Sequence, residues 1–105
     1  MPKKKVFEEL VFKKKYKSYT DFHFENKEVI YKTIINLFKE FTITKNRVNS
    51  MVINANIENI EWSTELSFNK NESYILKKDI MPHFEDIEDY ETCGEILNIT
   101  KSLTY

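Results

Sequence analysis

The sequence predicts an α+β domain: a three- or four-stranded antiparallel sheet with two helices packed on one of its faces. Three observations support this fold class. Residues 51–68 have the pattern of a β-hairpin, residues 74–80 alternate like a strand, and residues 26–41 and 92–103 carry apolar side chains at helical spacing. A chain of 105 residues is expected to form one domain, and it can bury about two thirds of the surface that its unfolded form exposes.

The first 17 residues form a basic segment whose conformation the pattern leaves open between helix, strand and a mobile tail. Two lysine clusters, Lys3–Lys5 and Lys13–Lys15, flank a mostly apolar stretch at 6–12. The apolar positions in that stretch fit a helical stripe and also one face of a strand. The helix is the favoured interpretation.

An aromatic segment and a helix are predicted next. Residues 19–24 alternate like a short strand with Phe22 and Phe24 facing inward, which would add a fourth strand to the sheet. Asn26 is the predicted N-cap of a helix over residues 26–41. The buried stripe of that helix consists of Ile30, Ile34, Leu37, Phe38 and Phe41.

The hairpin in residues 51–68 is recognised by a change of parity. Apolar residues occupy odd positions up to Ile57 and even positions from Ile60, as expected when a two-residue connection joins two strands. This register places Ala55 opposite Trp62. One face of the hairpin is then apolar and the other is polar, so the apolar face requires a cover.

The last third of the chain is predicted to contain a strand and a helix. Residues 74–80 would pair with the second hairpin strand and end before Pro82, which lacks a backbone donor. An acidic stretch at 83–91 fits one or two helical turns. Thr92 and Glu95 match a capping box that opens the helix over residues 92–103. The predicted buried stripe of this helix is Cys93, Ile96, Leu97, Thr100 and Leu103.

The composition excludes several classes of function. A single glycine, Gly94, is too few for the phosphate-binding loops and nucleophile elbows that need glycine where the backbone approaches a ligand. No apolar run approaches the roughly 20 residues of a membrane span, and the N-terminus lacks a secretory pattern. The single cysteine, Cys93, fits a reducing compartment. A cytoplasmic protein is therefore expected, with the nucleus as the alternative for a eukaryotic or viral source.

Charge is distributed unevenly along the chain and suggests two binding surfaces. Residues 1–50 carry 12 Lys/Arg against 6 Asp/Glu, whereas residues 51–105 carry 4 against 11. Such asymmetry concerns partners and association rates. The candidate surface for a basic protein partner consists of Glu85, Asp86, Glu88, Asp89 and Glu91. The candidate surface for nucleic acid consists of Lys13, Lys14, Lys15 and Lys17.

Three groupings of chemically competent residues are weaker candidates for a site. Cys93 with His23 or His83 could act as nucleophile and base, but a helical cysteine among carboxylates is more often a buried structural residue. Glu61 and Asp79 are the only candidates for paired acids, and strand alternation turns both outward. The acids around His83, namely Glu85, Asp86 and Asp89, lack recognisable metal-ligand spacing. We expect no catalytic group, metal or cofactor.

The resulting hypothesis is a small intracellular protein-binding module, an inhibitor or immunity-type adaptor with a basic macromolecular partner. A weak, lysine-driven nucleic-acid-binding protein is the first alternative, because a single arginine among 16 basic residues argues against base-specific readout. An enzyme of unrecognised type is the second. No pattern in the chain is specific enough to name a family, and the oligomeric state stays open.

Overall fold

A computed structural model describes residues 7–103 as a three-stranded sheet with helices over one face, which confirms the α+β class. The other face of the sheet is accessible to solvent. None of the helices within residues 7–103 has the length and hydropathy needed to cross a bilayer. The elements in chain order are β1 (Phe7–Tyr16), α1 (Tyr19–Glu40), β2 (Val48–Ile57), β3 (Ile60–Asn69), a 3-10 turn (Lys70–Glu72), a π-helical turn (Leu76–Ile80), α2 (Met81–Asp86) and α3 (Tyr90–Leu103).

The sheet is mixed, and the prediction of a purely antiparallel sheet was wrong. β2 is the central strand; it pairs parallel to β1 and antiparallel to β3. The parallel pair follows from the connection, because α1 returns the chain to the end of the sheet at which β1 began. β1 also contains an irregularity between Val11 and Lys15, which pair with Asn54 and Asn56.

The basic N-terminal segment is a strand rather than a helix from Phe7 onward. Its inward residues Leu10 and Phe12 pack against the core, and Tyr16 is buried. Neighbouring positions such as Val11 and Lys13 are exposed, as strand alternation requires. Residues 1–6, which include the first lysine cluster, lie outside the described part of the chain.

The hairpin prediction is confirmed in its register. Ile57 pairs with Ile60, Ala55 with Trp62 and Met51 with Leu66. The two turn residues have positive φ angles, 56° at Glu58 and 62° at Asn59, as a type I′ turn requires. Met51, Ile53, Ala55 and Ile57 are all buried, so the predicted apolar face does form part of the core.

Residues 19–24 are helical, so no strand forms there. Ser18 is the N-cap of α1, and its Oγ accepts a hydrogen bond of 3.1 Å from the backbone N–H of Asp21. The predicted cap, Asn26, lies inside the helix and is buried. Its side-chain nitrogen donates to the Tyr16 hydroxyl at 3.0 Å and to the Phe22 carbonyl at 2.9 Å.

Residues 74–80 are helical as well, which overturns the predicted third hairpin strand. Leu76 and Ile80 are both buried, and their four-residue spacing places them on one face of a helix. Pro82 lies in the first turn of α2, where its missing N–H removes no intrahelical bond. Because residues 74–80 do not pair with β3, β3 is an edge strand of the sheet.

Candidate protein-binding corner

The acidic stretch forms a tight corner between α2 and α3, which we call the acidic corner (residues 85–91). Two backbone hydrogen bonds close the end of α2: Glu88 N–H to the Glu85 carbonyl at 3.1 Å and Asp89 N–H to the Phe84 carbonyl at 2.8 Å. Glu88 has a φ of 58°. This combination is a Schellman motif, whose left-handed position is usually glycine. The backbone of the corner is therefore well defined.

Asp89 is the N-cap of α3, so the predicted cap at Thr92 and the predicted capping box were wrong. The Asp89 carboxylate accepts hydrogen bonds from the Thr92 backbone N–H at 3.1 Å and from the Thr92 hydroxyl at 2.7 Å. These two bonds, assisted by the charge of Lys32, lower the pKa of the Asp89 carboxyl. Asp89 thus has a structural role that its four acidic neighbours lack.

The other acids of the corner are exposed carboxylates without local partners. Within residues 7–103 their side chains make no hydrogen bond or ion pair. Two apolar side chains lie among them, Ile87 at 49% exposed and Tyr90 at 65% exposed. The corner therefore combines negative charge with exposed apolar surface. The four acids are Glu85, Asp86, Glu88 and Glu91.

The four candidate lysines for nucleic-acid binding lie on and just after the C-terminal half of β1, and all are exposed. Lys14 forms an ion pair of 2.6 Å with Glu25, and this hydrogen bond raises the Lys14 pKa. A shallow depression beside the start of α1 is lined by three of the lysines, by Phe24 and by the acids Asp21 and Glu25. Phe24 is 80% exposed, and Lys27 lies over its ring at 5.9 Å. The depression is thus of mixed charge.

The candidate catalytic residues do not come together. Cys93 is buried in α3, and burial, followed by the charges of Glu85 and Asp89, raises the pKa of its thiol. His83 lies 3.5 Å from Glu28 and packs against the rings of Tyr31 and Phe84. No hydrogen bond joins Cys93 to either histidine in the part of the chain that the structure describes.

The remaining candidate acids and the candidate metal ligands are also dispersed. Glu61 lies on β3 and Asp79 in the π-helical turn, and both side chains are exposed. Across residues 7–103, no three metal-ligating side chains lie close enough together to hold an ion.

The sequence pattern did not predict an aromatic group that lies at the start of α1. Tyr19 stacks on His23 with ring centroids 6.2 Å apart, and it meets Trp62 edge-on at 5.7 Å. Trp62 also contacts Phe22 at 5.8 Å. Tyr19 and His23 are four residues apart, and this spacing predicts a contact between their rings only if residues 19–24 are helical.

No protein-family model, no curated protein and no solved structure matches this chain. The class that the fold defines is a small α+β domain with a mixed three-stranded sheet, helices over one face, an exposed acidic corner and an exposed lysine-bearing depression of mixed charge. Its function has to be argued from those surfaces.

Proposed function

We propose that this domain is a protein-binding module of the inhibitor or immunity type, which docks a basic macromolecular partner through the acidic corner. The observation that carries the proposal is the set of four unpartnered carboxylates around Ile87 and Tyr90. Clustered negative charge accelerates encounter with a positive surface, and exposed aromatic residues commonly supply the binding energy.

The backbone of the acidic corner suits a docking role. The Schellman motif and the Asp89 cap hold residues 85–91 in one conformation. A surface that is ordered before binding loses less conformational entropy when the partner arrives. The corner can therefore use its charges and its apolar side chains without a preceding folding step.

The presence of glutamate rather than glycine at the left-handed position, Glu88, is better explained by binding than by stability. Glu88 occupies a conformation that costs a non-glycine residue about 1 kcal/mol. Its charge lies among those of Glu85, Asp86 and Glu91, and clustered like charges repel one another. A sequence selected only for stability would favour glycine or asparagine here, so we attribute Glu88 to the needs of a partner.

The proposal is tested by neutralising part of the acidic corner and comparing a matched control. The test variant is Glu88→Gln/Glu91→Gln, which leaves the Asp89 cap intact. The control is Glu58→Gln/Asp79→Asn, which removes two exposed charges elsewhere and, at Glu58, also alters a residue with positive φ. The partner is captured from lysate of the source cells on immobilised wild type, purified, and its association rate is measured at low and high salt.

We expect the test variant to associate roughly threefold to tenfold more slowly in dilute buffer, with a smaller difference at high salt, because screening weakens steering. The control should associate at the wild-type rate. Equal capture and equal rates for wild type and the test variant would rule out docking through the acidic corner.

Nucleic-acid binding is a second candidate, favoured by one observation: Phe24 is 80% exposed beside exposed lysines. An exposed aromatic ring among lysines suits base stacking and phosphate contact. Asp21 and Glu25 in the same depression oppose it. Binding of a single-stranded oligonucleotide should weaken steeply with salt, and Lys13→Gln/Lys15→Gln/Lys17→Gln should flatten that dependence. No binding even in dilute buffer would exclude this candidate.

A further inference from the structure

The outer edge of β3 presents unpaired backbone groups. β3 lies at one side of the sheet, and the two-residue turn makes Ile57 and Ile60 a hydrogen-bonded pair. Hydrogen-bonded pairs then recur at every second residue, so even-numbered residues of β3 bond to β2 and odd-numbered residues direct their N–H and C=O groups outward. The outward residues are Glu61, Ser63, Glu65, Ser67 and Asn69.

Asn69 provides an independent check of this alternation. Its backbone N–H does not bond to β2 and instead donates to the side-chain oxygen Oε1 of Glu72 at 2.7 Å. The backbone N–H groups of the other four outward residues have no hydrogen-bond acceptor within residues 7–103. The free edge thus runs from Glu61 to Ser67.

β3 has few of the features that protect an edge strand from pairing, apart from the charges of Glu61 and Glu65. It forms ten consecutive pairs with β2 without a bulge, and it contains no lysine or proline. The opposite edge is different, because β1 has an irregular register and the cluster Lys13–Lys15. Of the two edge strands, β3 therefore offers the more regular edge for an added strand.

The side chains along β3 specify the chemistry of that strand. On the open face of the sheet, Glu61 and Glu65 are exposed, and β3 has no positive charge to balance them. On the helix face, Ile60 is 65% exposed and Trp62 is half-buried against Tyr19. A strand added beside β3 would place alternate side chains against these two surfaces.

We propose that β3 accepts an extended segment of a partner protein as a fourth strand, with Lys or Arg facing Glu61 and Glu65 and apolar residues facing Ile60 and Trp62. A second copy of β3 suits this edge less well, because antiparallel registers that pair Glu65 with itself or with Glu61 oppose like charges. This surface is separate from the acidic corner, and neither proposal depends on the other.

The test uses a soluble peptide of alternating lysine and valine, about ten residues long, and the fluorescence of Trp62, which is the only tryptophan in the chain. An isomer with the same residues in two blocks is the peptide control. The first variant is Ser63→Pro, which removes an outward N–H without breaking a bond to β2. The second is Glu65→Lys, with Glu9→Lys on β1 as the matched charge reversal.

We expect the alternating peptide to bind wild type and Glu9→Lys, and to bind each β3 variant at least about fivefold more weakly, as loss of one backbone bond or one charge pair predicts. Glu65→Lys keeps the test decisive if Ser63→Pro fails to fold. Equal binding of the block isomer, unchanged binding by folded β3 variants, or no binding by wild type would each overturn the proposal. A wild-type dimer that Ser63→Pro dissociates would instead assign the edge to a second copy.

Discussion

The carboxylate of Asp89 accepts hydrogen bonds from both the backbone N–H and the hydroxyl of Thr92, at 3.1 Å and 2.7 Å. This relationship joins the acidic corner to the first turn of α3. It also separates Asp89 from the other acids of the corner, which make no such contact within the described residues.

Asp89→Ala should lower the melting temperature by a few degrees, as loss of an N-cap does, whereas Asp86→Ala should change it little. The folded-state pKa of Asp89 is lowered by its bonds to Thr92. Its stabilising effect is therefore complete above the unfolded pKa of about 4 and disappears as the pH falls through the lower folded value. Melting curves of both variants at neutral and strongly acidic pH measure this; an Asp89→Ala deficit that persists unchanged in strong acid would contradict it.

Glu88→Gly should stabilise the protein by about 1 kcal/mol, because glycine adopts the left-handed conformation of Glu88 without steric cost. The same replacement at Glu91, in the first turn of α3, should destabilise by about 0.5–1 kcal/mol. Urea unfolding measures both. Two changes of the same sign would show that residue 88 is not held in the left-handed region in solution.

Trp62→Ala should lower the free energy of unfolding by about 2 kcal/mol, less than the ~3–5 kcal/mol expected for Phe22→Ala. Phe22 is 1% exposed, whereas Trp62 lies half-buried on an edge strand. The predicted pairing of Trp62 with Ala55 across the hairpin is confirmed, but the predicted strand over residues 74–80, which would have covered the other side of β3, does not form. Chemical denaturation of the two variants provides the comparison, and an equal loss would mean that Trp62 is a full core residue.

Cys93 should react slowly with thiol reagents at neutral pH, because burial and the charges of Glu85 and Asp89 raise its pKa. Unfolding in urea should make the reaction fast. Glu85→Gln should accelerate it slightly in the folded protein, since burial is the larger cause. Rapid, stoichiometric labelling of the folded wild type would reopen the role of Cys93 as a nucleophile.

Local patterns were sufficient to predict the hairpin and the existence of the two longer helices. The change of parity between Ile57 and Ile60 has one simple explanation, a two-residue turn, and this fixes every pair up to Val48 and Asn69. The longer apolar stripes at helical spacing likewise located most of α1 and α3. The N-terminal ends of both helices were predicted less well. Their N-caps are Ser18 and Asp89, and the sequence alone does not show which polar residue caps a helix.

Where a segment fits both the helical and the strand period, tertiary packing determines which conformation it adopts. Residues 74–80 alternate like a strand, yet Leu76 and Ile80 also share a helical face, and both are buried in the core as helix. Residues 7–16 fit a helix as well as a strand, and pairing with β2 selects the strand. That pairing joins residues about forty positions apart, so no local pattern contains it.

The sequence by itself determined the charge asymmetry, the α+β class and the hairpin register, because each depends on residue type or on short-range spacing. Tertiary structure decided the parallel β1–β2 pair, the open edge of β3 and the division of the acidic corner into one cap and four unpartnered carboxylates. The physical reason is the same in each case. Backbone groups need hydrogen-bond partners and apolar faces need to be buried, and the elements that provide both come from distant parts of the chain. Where several local conformations are possible, the one that meets these requirements in the whole fold is formed.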